Sequence, residues 1–204
     1  MTKKEEWLAG TRSAVPIMLG YVPVGIAYGV MARQAGLNTW QTVLMSLTVY
    51  GGASEMIAAG MVAQGAAVLT IVLTTFILNL RHIIMSTCVF NQMQGGRLPV
   101  RMLAAFGVTD ETFAVYTTTA NAPRTPRYFF SMALCSYLSW ALGSWLGAIA
   151  TGLLPPLITA ALGISLYAMF IGLLMPGLHG NGRLAALVVL TALCNTVLCN
   201  VVQL

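Results

Sequence analysis

Five ionisable side chains stand inside stretches that are otherwise apolar: Glu55, Arg81, His82, Asp110 and Glu111. A charge at the centre of a lipid bilayer costs roughly 3 kcal/mol or more, so each must face a bundle interior or water. Three acids against one arginine leave a negative excess, which a cation, a proton or a substrate ammonium would fill. Glu55 follows Gly51, Gly52, Ala53 and Ser54, and a helix restarting there exposes free backbone N–H groups suited to a carboxylate. In the first turn of that half-helix, Glu55 can bind a ligand or a proton, or can serve the local helix dipole by itself. Thr75, Asn79, His82 and Ser86 recur at spacings of four, three and four, which sets them on one helical face. Arg81 lies about 200° round from Asn79. It therefore addresses a different partner, with Asp110 or Glu55 as the obvious ion pair, or the helix is unwound there. Asp110 and Glu111 are adjacent, about 100° apart on a helix, and serve different partners. His82 can shuttle protons near neutral pH or make a plain hydrogen bond.

Composition names the elements that must hold these groups. The chain has 204 residues, 58% hydrophobic and 7% charged, with a mean hydropathy of +0.82. A soluble domain carries about 25% charged residues, and this chain lacks the polar surface to cover a soluble core. The same figures exclude disorder. The net charge of +5 is too dispersed to track phosphates, so the lipid bilayer and not nucleic acid is the expected partner.

Apolar runs fall near 13–33, 39–64, 66–90, 101–120, 128–151, 157–176 and 183–203. Runs of about 20 residues suit membrane-spanning helices, giving an all-α integral membrane protein of about seven segments. Residues 1–12 read as a cytoplasmic lead-in to a retained segment, and 13–204 as one transmembrane domain. The first segment carries Gly20, Pro23 and Gly25, which should kink or unwind it. The second should break at Gly51–Ser54, and the sixth ends at Met175, Pro176 and Gly177. Gly25 with Gly29, and Gly143 with Gly147, have the spacing that lets membrane helices approach closely. Cys88, Cys135, Cys194 and Cys199 read as small buried hydrophobes.

With every segment crossing and the N-terminus in the cytoplasm, Lys3, Lys4, Arg12, Arg124, Arg127 and Arg183 lie inside. Arg33, Arg97 and Arg101 then lie outside, an asymmetry in the direction that positive charge favours. A re-entrant 101–120 would reverse it, so crossing is expected. A constant shift of 87 residues lays Met45–Tyr50 on Met132–Tyr137 and pairs Gly60 with Gly147. It predicts a 3+3 inverted repeat, with halves 13–90 and 101–176 plus a final segment at 183–203, a recurrent secondary-transporter design. The competing classes are a channel and a membrane scaffold, and broken helices favour alternating access or a filter over a scaffold. A Ser54–His82 protease pair is a chance match in such a chain, and no enzyme is expected. His82 and His179 form no metal site, and neither a cofactor nor a catalytic residue is assigned.

Four motifs, in order, are similar to one family. They are Gly20-x-x-Pro23-x-Gly25, Tyr50 to Ser54, Asn79 to His82, and Thr109 to Phe113. Their order and spacing resemble the AzlC family, the YgaZ-type large subunits of bacterial branched-chain amino-acid exporters. The resemblance runs from about residue 13 to 200. It implies a multi-pass permease of the bacterial plasma membrane that exports valine, leucine, isoleucine or methionine, driven by protons. It also implies a small membrane partner of the AzlD/YgaH type. The family commonly has Gln where this chain has Glu55, and relatives often continue beyond the position of Leu204. The expected site lies between segments 1 to 4. Gly51, Gly52, Ser54, Glu55, Asn79, Asp110 and Glu111 are assigned to substrate. Glu55, Arg81, His82 and Asp110 are assigned to protons or ion pairing, and Pro23 and Gly25 to the helix break.

Overall fold

Backbone N–H and C=O groups in hydrocarbon have only one another as partners, and the described residues are accordingly helical, without strands. The computed structural model describes residues 2–96, 98–120, 122–153 and 182–202, with isolated positions between 155 and 178. Two units are formed, Met1–Leu166 and Tyr167–Leu204. The first contains α1 (Lys3–Gln34), α2 (Thr39–Thr48), α3 (Gly52–Ala63), α4 (Val68–Asn79), α5 (Arg81–Gln92), α6 (Leu98–Phe106), α7 (Asp110–Thr118) and α8 (Pro126–Ala150). The second contains α9 (Gly182–Val202). Capping boxes start α1 at Thr2, α2 at Asn38 and α7 at Thr109. Thr125 caps α8, whose first residue, Pro126, has no N–H to satisfy.

The two paired glycine motifs face each other. A Cβ on Gly25 would stand 3.2 Å from Gly143 Cα, and one on Gly29 would stand 2.3 Å from Ser144 O and 2.7 Å from Ala148 N. Gly10 meets Tyr128 and Ser131 in the same way, so contacts advance together along both helices and α1 and α8 run parallel. Glycine removes the side chain from both surfaces and lets the backbones touch. This corrects the expectation at Pro23 and Gly25. The helix continues unbroken through Pro16 and Pro23, and Gly25 is a packing residue. Residues 3–12 belong to the same helix as the first apolar segment.

The parallel pair fixes the path of everything between. The N-terminal ends of α1 and α8 share one end, where Glu6 lies 3.7 Å from Arg127. Gln94 N donates to Arg124 O at 2.6 Å, which brings the α5–α6 loop to that same end. Glu6, Gln94, Gly96, Thr125 and Arg127 line one cavity there, of about 500 Å³. The α4–α5 pair starts at the opposite end and passes through Leu80, whose φ of −56° and ψ of −29° are helical. Over 25 residues, Val68–Gln92, it rises about 37 Å, enough for a hydrocarbon core of about 30 Å.

Neither α2–α3 nor α6–α7 crosses. Thr42 meets Tyr28, Ser46 meets Ser144, and Tyr50 meets Tyr137, so α2 descends from the far end to mid-depth. The α3–α4 loop then returns to the far end. From the near end, α6 descends along α8 until Gly107 meets Ala133, and α7 climbs back until Tyr116 meets Phe129. Each half-helix has 9 to 12 residues, about 14–18 Å, half the depth of the core. Segments 39–64 and 101–120 are therefore re-entrant hairpins. Three described helices are long and apolar enough to cross: Lys3–Gln34, Val68–Gln92 and Pro126–Ala150.

This arrangement pairs α1 and its hairpin with α4–α5 and its hairpin, in opposite orientations. The 87-residue register instead lays the interrupted α2–α3 on the unbroken α8. The last segment of the second proposed half, 157–176, and His179 lie largely outside the described residues. Charge follows the hairpins. Lys3, Lys4, Arg12, Arg101, Arg124 and Arg127 gather at the near end and Arg33 at the far end. Cys88 and Cys194 are exposed and Cys135 half-buried, all three as free thiols, because apolar side chains here face outward as well as inward.

Candidate functional site

The hairpin tips meet at mid-depth, and both outgoing half-helices begin there. Tip 1 is Val49 to Gly51, as the glycines at Gly51 and Gly52 led one to expect. Tip 2 is Gly107 to Thr109. Tyr50 turns tip 1 with a φ of +47°, a left-handed conformation that is strained for a bulky residue. Its ring is held by Tyr137 at 4.9 Å, Phe106 at 6.0 Å and Tyr21 at 6.4 Å between centroids. The indole of Trp140 lies over Gly52, where a Cβ would come within 2.9 Å of the ring.

Glu55 is fully buried. Its Oε1 accepts from Gly51 N at 2.9 Å, and its Oε2 accepts from Ser46 Oγ at 3.1 Å and Trp140 Nε1 at 3.3 Å. Ser46 is in turn 2.7 Å from Ser144 Oγ. The carboxylate thus takes up the tip N–H itself, closing the hairpin against α8, while Ser54 Oγ donates back to Gly51 O at 2.8 Å. Ser54 makes no bond to His82 among the described residues.

Arg81 and Asp110 form an ion pair at 2.8 Å. Glu111, on the other side of the α7 start, accepts from Tyr21 Oη at 2.6 Å, and Thr109 Oγ1 is 2.8 Å from the same oxygen. The adjacent acids do serve different partners. Of the two partners expected for Arg81, Asp110 is the one it meets, and the turn of the helix carries Glu111 to α1. Asn79 Oδ1 stands 3.3 Å from where a Cβ on Gly51 would be, which joins α4 to tip 1. Asn79 Oδ1 and Tyr50 Oη are buried with no hydrogen-bond partner among the described residues. Thr75, Asn79, His82 and Ser86 are all half-buried, whereas Phe76, Ile77, Ile83 and Ile84 are exposed, so the polar stripe is the inner face.

The charge inventory now resolves. Asp110 has its arginine. Glu55 and Glu111 are enclosed and have only neutral donors among the described residues. Sequence reasoning missed Tyr21, Ser46, Tyr50, Trp140 and Ser144, the neutral groups that hold these acids. Tyr21 and Tyr50 sit within the quoted motifs, and Ser144 lies inside the Gly143/Gly147 pair. The described residues hold no cluster of three metal-ligating side chains.

Two opposed half-membrane hairpins with enclosed acids at their tips define a polytopic helical membrane protein with an intramembrane polar centre. The chain belongs to the AzlC family: the family model described as AzlC protein matches residues 16–154. It is 33% identical over 188 residues to an uncharacterized membrane protein of Archaeoglobus fulgidus, covering 91% of this chain and 82% of that one. It is 30% identical over 179 residues to the inner membrane protein YgaZ of Escherichia coli, covering 83% and 72%. It is 27% identical over 157 residues to the branched-chain amino acid transport protein AzlC of Bacillus subtilis, covering 73% and 61%. No solved structure matches.

Proposed function

We propose that this chain is a permease, not an enzyme, that moves hydrophobic amino acids such as valine, leucine, isoleucine or methionine out of the cell with protons. It works as the large subunit beside a small AzlD/YgaH-type membrane protein in the bacterial plasma membrane. The observation that carries this reading is the pair of buried acids, Glu55 and Glu111, enclosed at the hairpin tips without a cationic partner among the described residues. An unpaired buried carboxylate is costly, so the site favours a proton or an ammonium group. Opposite charge is on offer beside it. The N–H groups of Gly52, Ala53 and Ser54 begin α3, and the positive end of a half-helix attracts a substrate carboxylate. Asn79 Oδ1 and Tyr50 Oη are unpartnered acceptor and donor at the same depth. A zwitterion matches this set.

Roles divide by partner. Glu111 receives the ammonium or the proton, since Tyr21 is its one neutral side-chain donor besides the nearby Thr109. Glu55 locks tip 1, and Arg81 with Asp110 locks tip 2 to the crossing helix. His82, half-buried beside Arg81, is a secondary proton relay. The N-terminus is cytoplasmic, supported by the near-end cluster of Lys and Arg. The test loads cells with hydrophobic dipeptides and compares efflux of the released amino acids with and without this chain and its small subunit. Glu111→Gln should lose efflux at normal membrane abundance. Wild-type efflux from Glu111→Gln and Glu55→Gln together would refute the site.

A further inference from the structure

The α4–α5 helix is unlike its crossing neighbours. Half of the most apolar stretch of Lys3–Gln34 and of Pro126–Ala150 is buried, and none of that of Val68–Gln92. Its outer surface exposes Val72, Phe76, Ile77, Ile83 and Ile84, as lipid contact requires. Yet Arg81 stands near its midpoint, about 20 Å from the first residue at 1.5 Å per residue. Its side chain remains 44% exposed and that of its partner Asp110 28% exposed. A guanidinium has five N–H donors, and the bond described for Arg81 is the one from Nη2 to Asp110. Hydrocarbon offers no acceptor for the others, and a charge at this depth seldom faces lipid. On the turns before and after Arg81 the exposed neighbours are the apolar Ile77 and Ile84.

We infer that the face of α4–α5 centred on Arg81 is the docking surface for a membrane-spanning helix of another protein that presents a carboxylate at mid-depth. The chain's own inventory supports a foreign partner. No Asp or Glu follows Glu111, so the C-terminal segments carry no acid. Glu55 and Glu111 are enclosed and Asp110 is paired, so a second copy brings no spare acid either. This deepens the two-component reading above, and its test is independent of transport.

The complete chain is produced with the small membrane subunit, carrying a photo-crosslinking benzoylphenylalanine at Ile77 or Ile84. These positions lie four residues before and three after Arg81 and are 63% and 71% exposed. Both positions should yield an adduct to the small subunit, and Leu19, exposed on α1, should not. Arg81→Leu should lower adduct yield at least tenfold, and Arg81→Lys by less. If Arg81→Leu fails to insert, the Ile77 adduct in the native background still decides. Adducts to lipid alone, to a second copy, or to residues 182–202 of the same chain would overturn the inference, as would no adduct to the subunit. Loss of transport with the adduct retained would sink the transport reading and leave the docking surface standing.

Discussion

Gly147 is the position where one added carbon should do the most damage. Its Cβ would stand 2.2 Å from Ile26 O and 2.8 Å from Ile26 C and Cα, all backbone atoms of α1. No side chain can swing aside, so α1 and α8 must part by about 1 Å to restore ordinary contact. A gap of that size forfeits about a quarter to a half of each dispersion well along the seam. Overpacking of this kind costs about 1–3 kcal/mol, and at 2 kcal/mol the folding equilibrium falls roughly thirtyfold. The displacement also reaches the site, since Trp140 and Ser144 lie on the same seam beside Gly25. Gly147→Ala should therefore lower thermal stability in detergent and weaken transport together, and Gly29→Ala should do the same. Gly60→Ala is the control: it meets nothing within 4 Å, and alanine in a helix interior is better by about 0.5–1 kcal/mol. Equal melting of Gly147→Ala and Gly60→Ala would refute the close parallel packing.

Other expectations can be checked separately. Trp140→Phe keeps the ring contacts to Tyr21 and Tyr28 but removes the donor to Glu55, costing about 1–2 kcal/mol in thermal unfolding and reducing export. Arg81→Ala and Asp110→Ala should each destabilise, and a double-mutant cycle should give a coupling of about 1 kcal/mol, discounted for the pair's partial exposure. In a background without the native cysteines, single cysteines at Gly36 and Gly65 should label from one side of the membrane, and those at Gln94 and Thr125 from the other. Labelling of positions 36 and 65 from opposite sides would restore a crossing segment 39–64.

Helical membrane architecture was legible because charge scarcity leaves few alternatives. The glycine pairs were legible as motifs, and their facing one another needed coordinates. Crossing and re-entry were not distinguishable by length. Two half-helices of 10 and 12 residues with their tip carry as many apolar residues as one span. The charges held the missing information. Taken as crossings, segments 39–64 and 101–120 split the Lys/Arg between the two faces; as hairpins they leave Arg33 alone at the far end among the described Lys and Arg of the first unit. The acids that gather at the hairpin tips stood out because intramembrane charge is rare. Tyr21, Trp140 and Ser46 were missed because a tyrosine, an indole or a serine in an apolar run is unremarkable until its partner across the fold is known.

The proposed transport rests on Glu111, enclosed at the second hairpin tip, receiving the substrate ammonium or a proton as a hydrophobic amino acid is moved. Proteoliposomes holding this chain and the proposed small subunit should show leucine flux that saturates and is accelerated by an imposed proton gradient. That flux should be lost in Glu111→Gln protein inserted to the same level. Non-saturating ionic current without leucine movement, or undiminished flux in the Glu111→Gln protein, would contradict it.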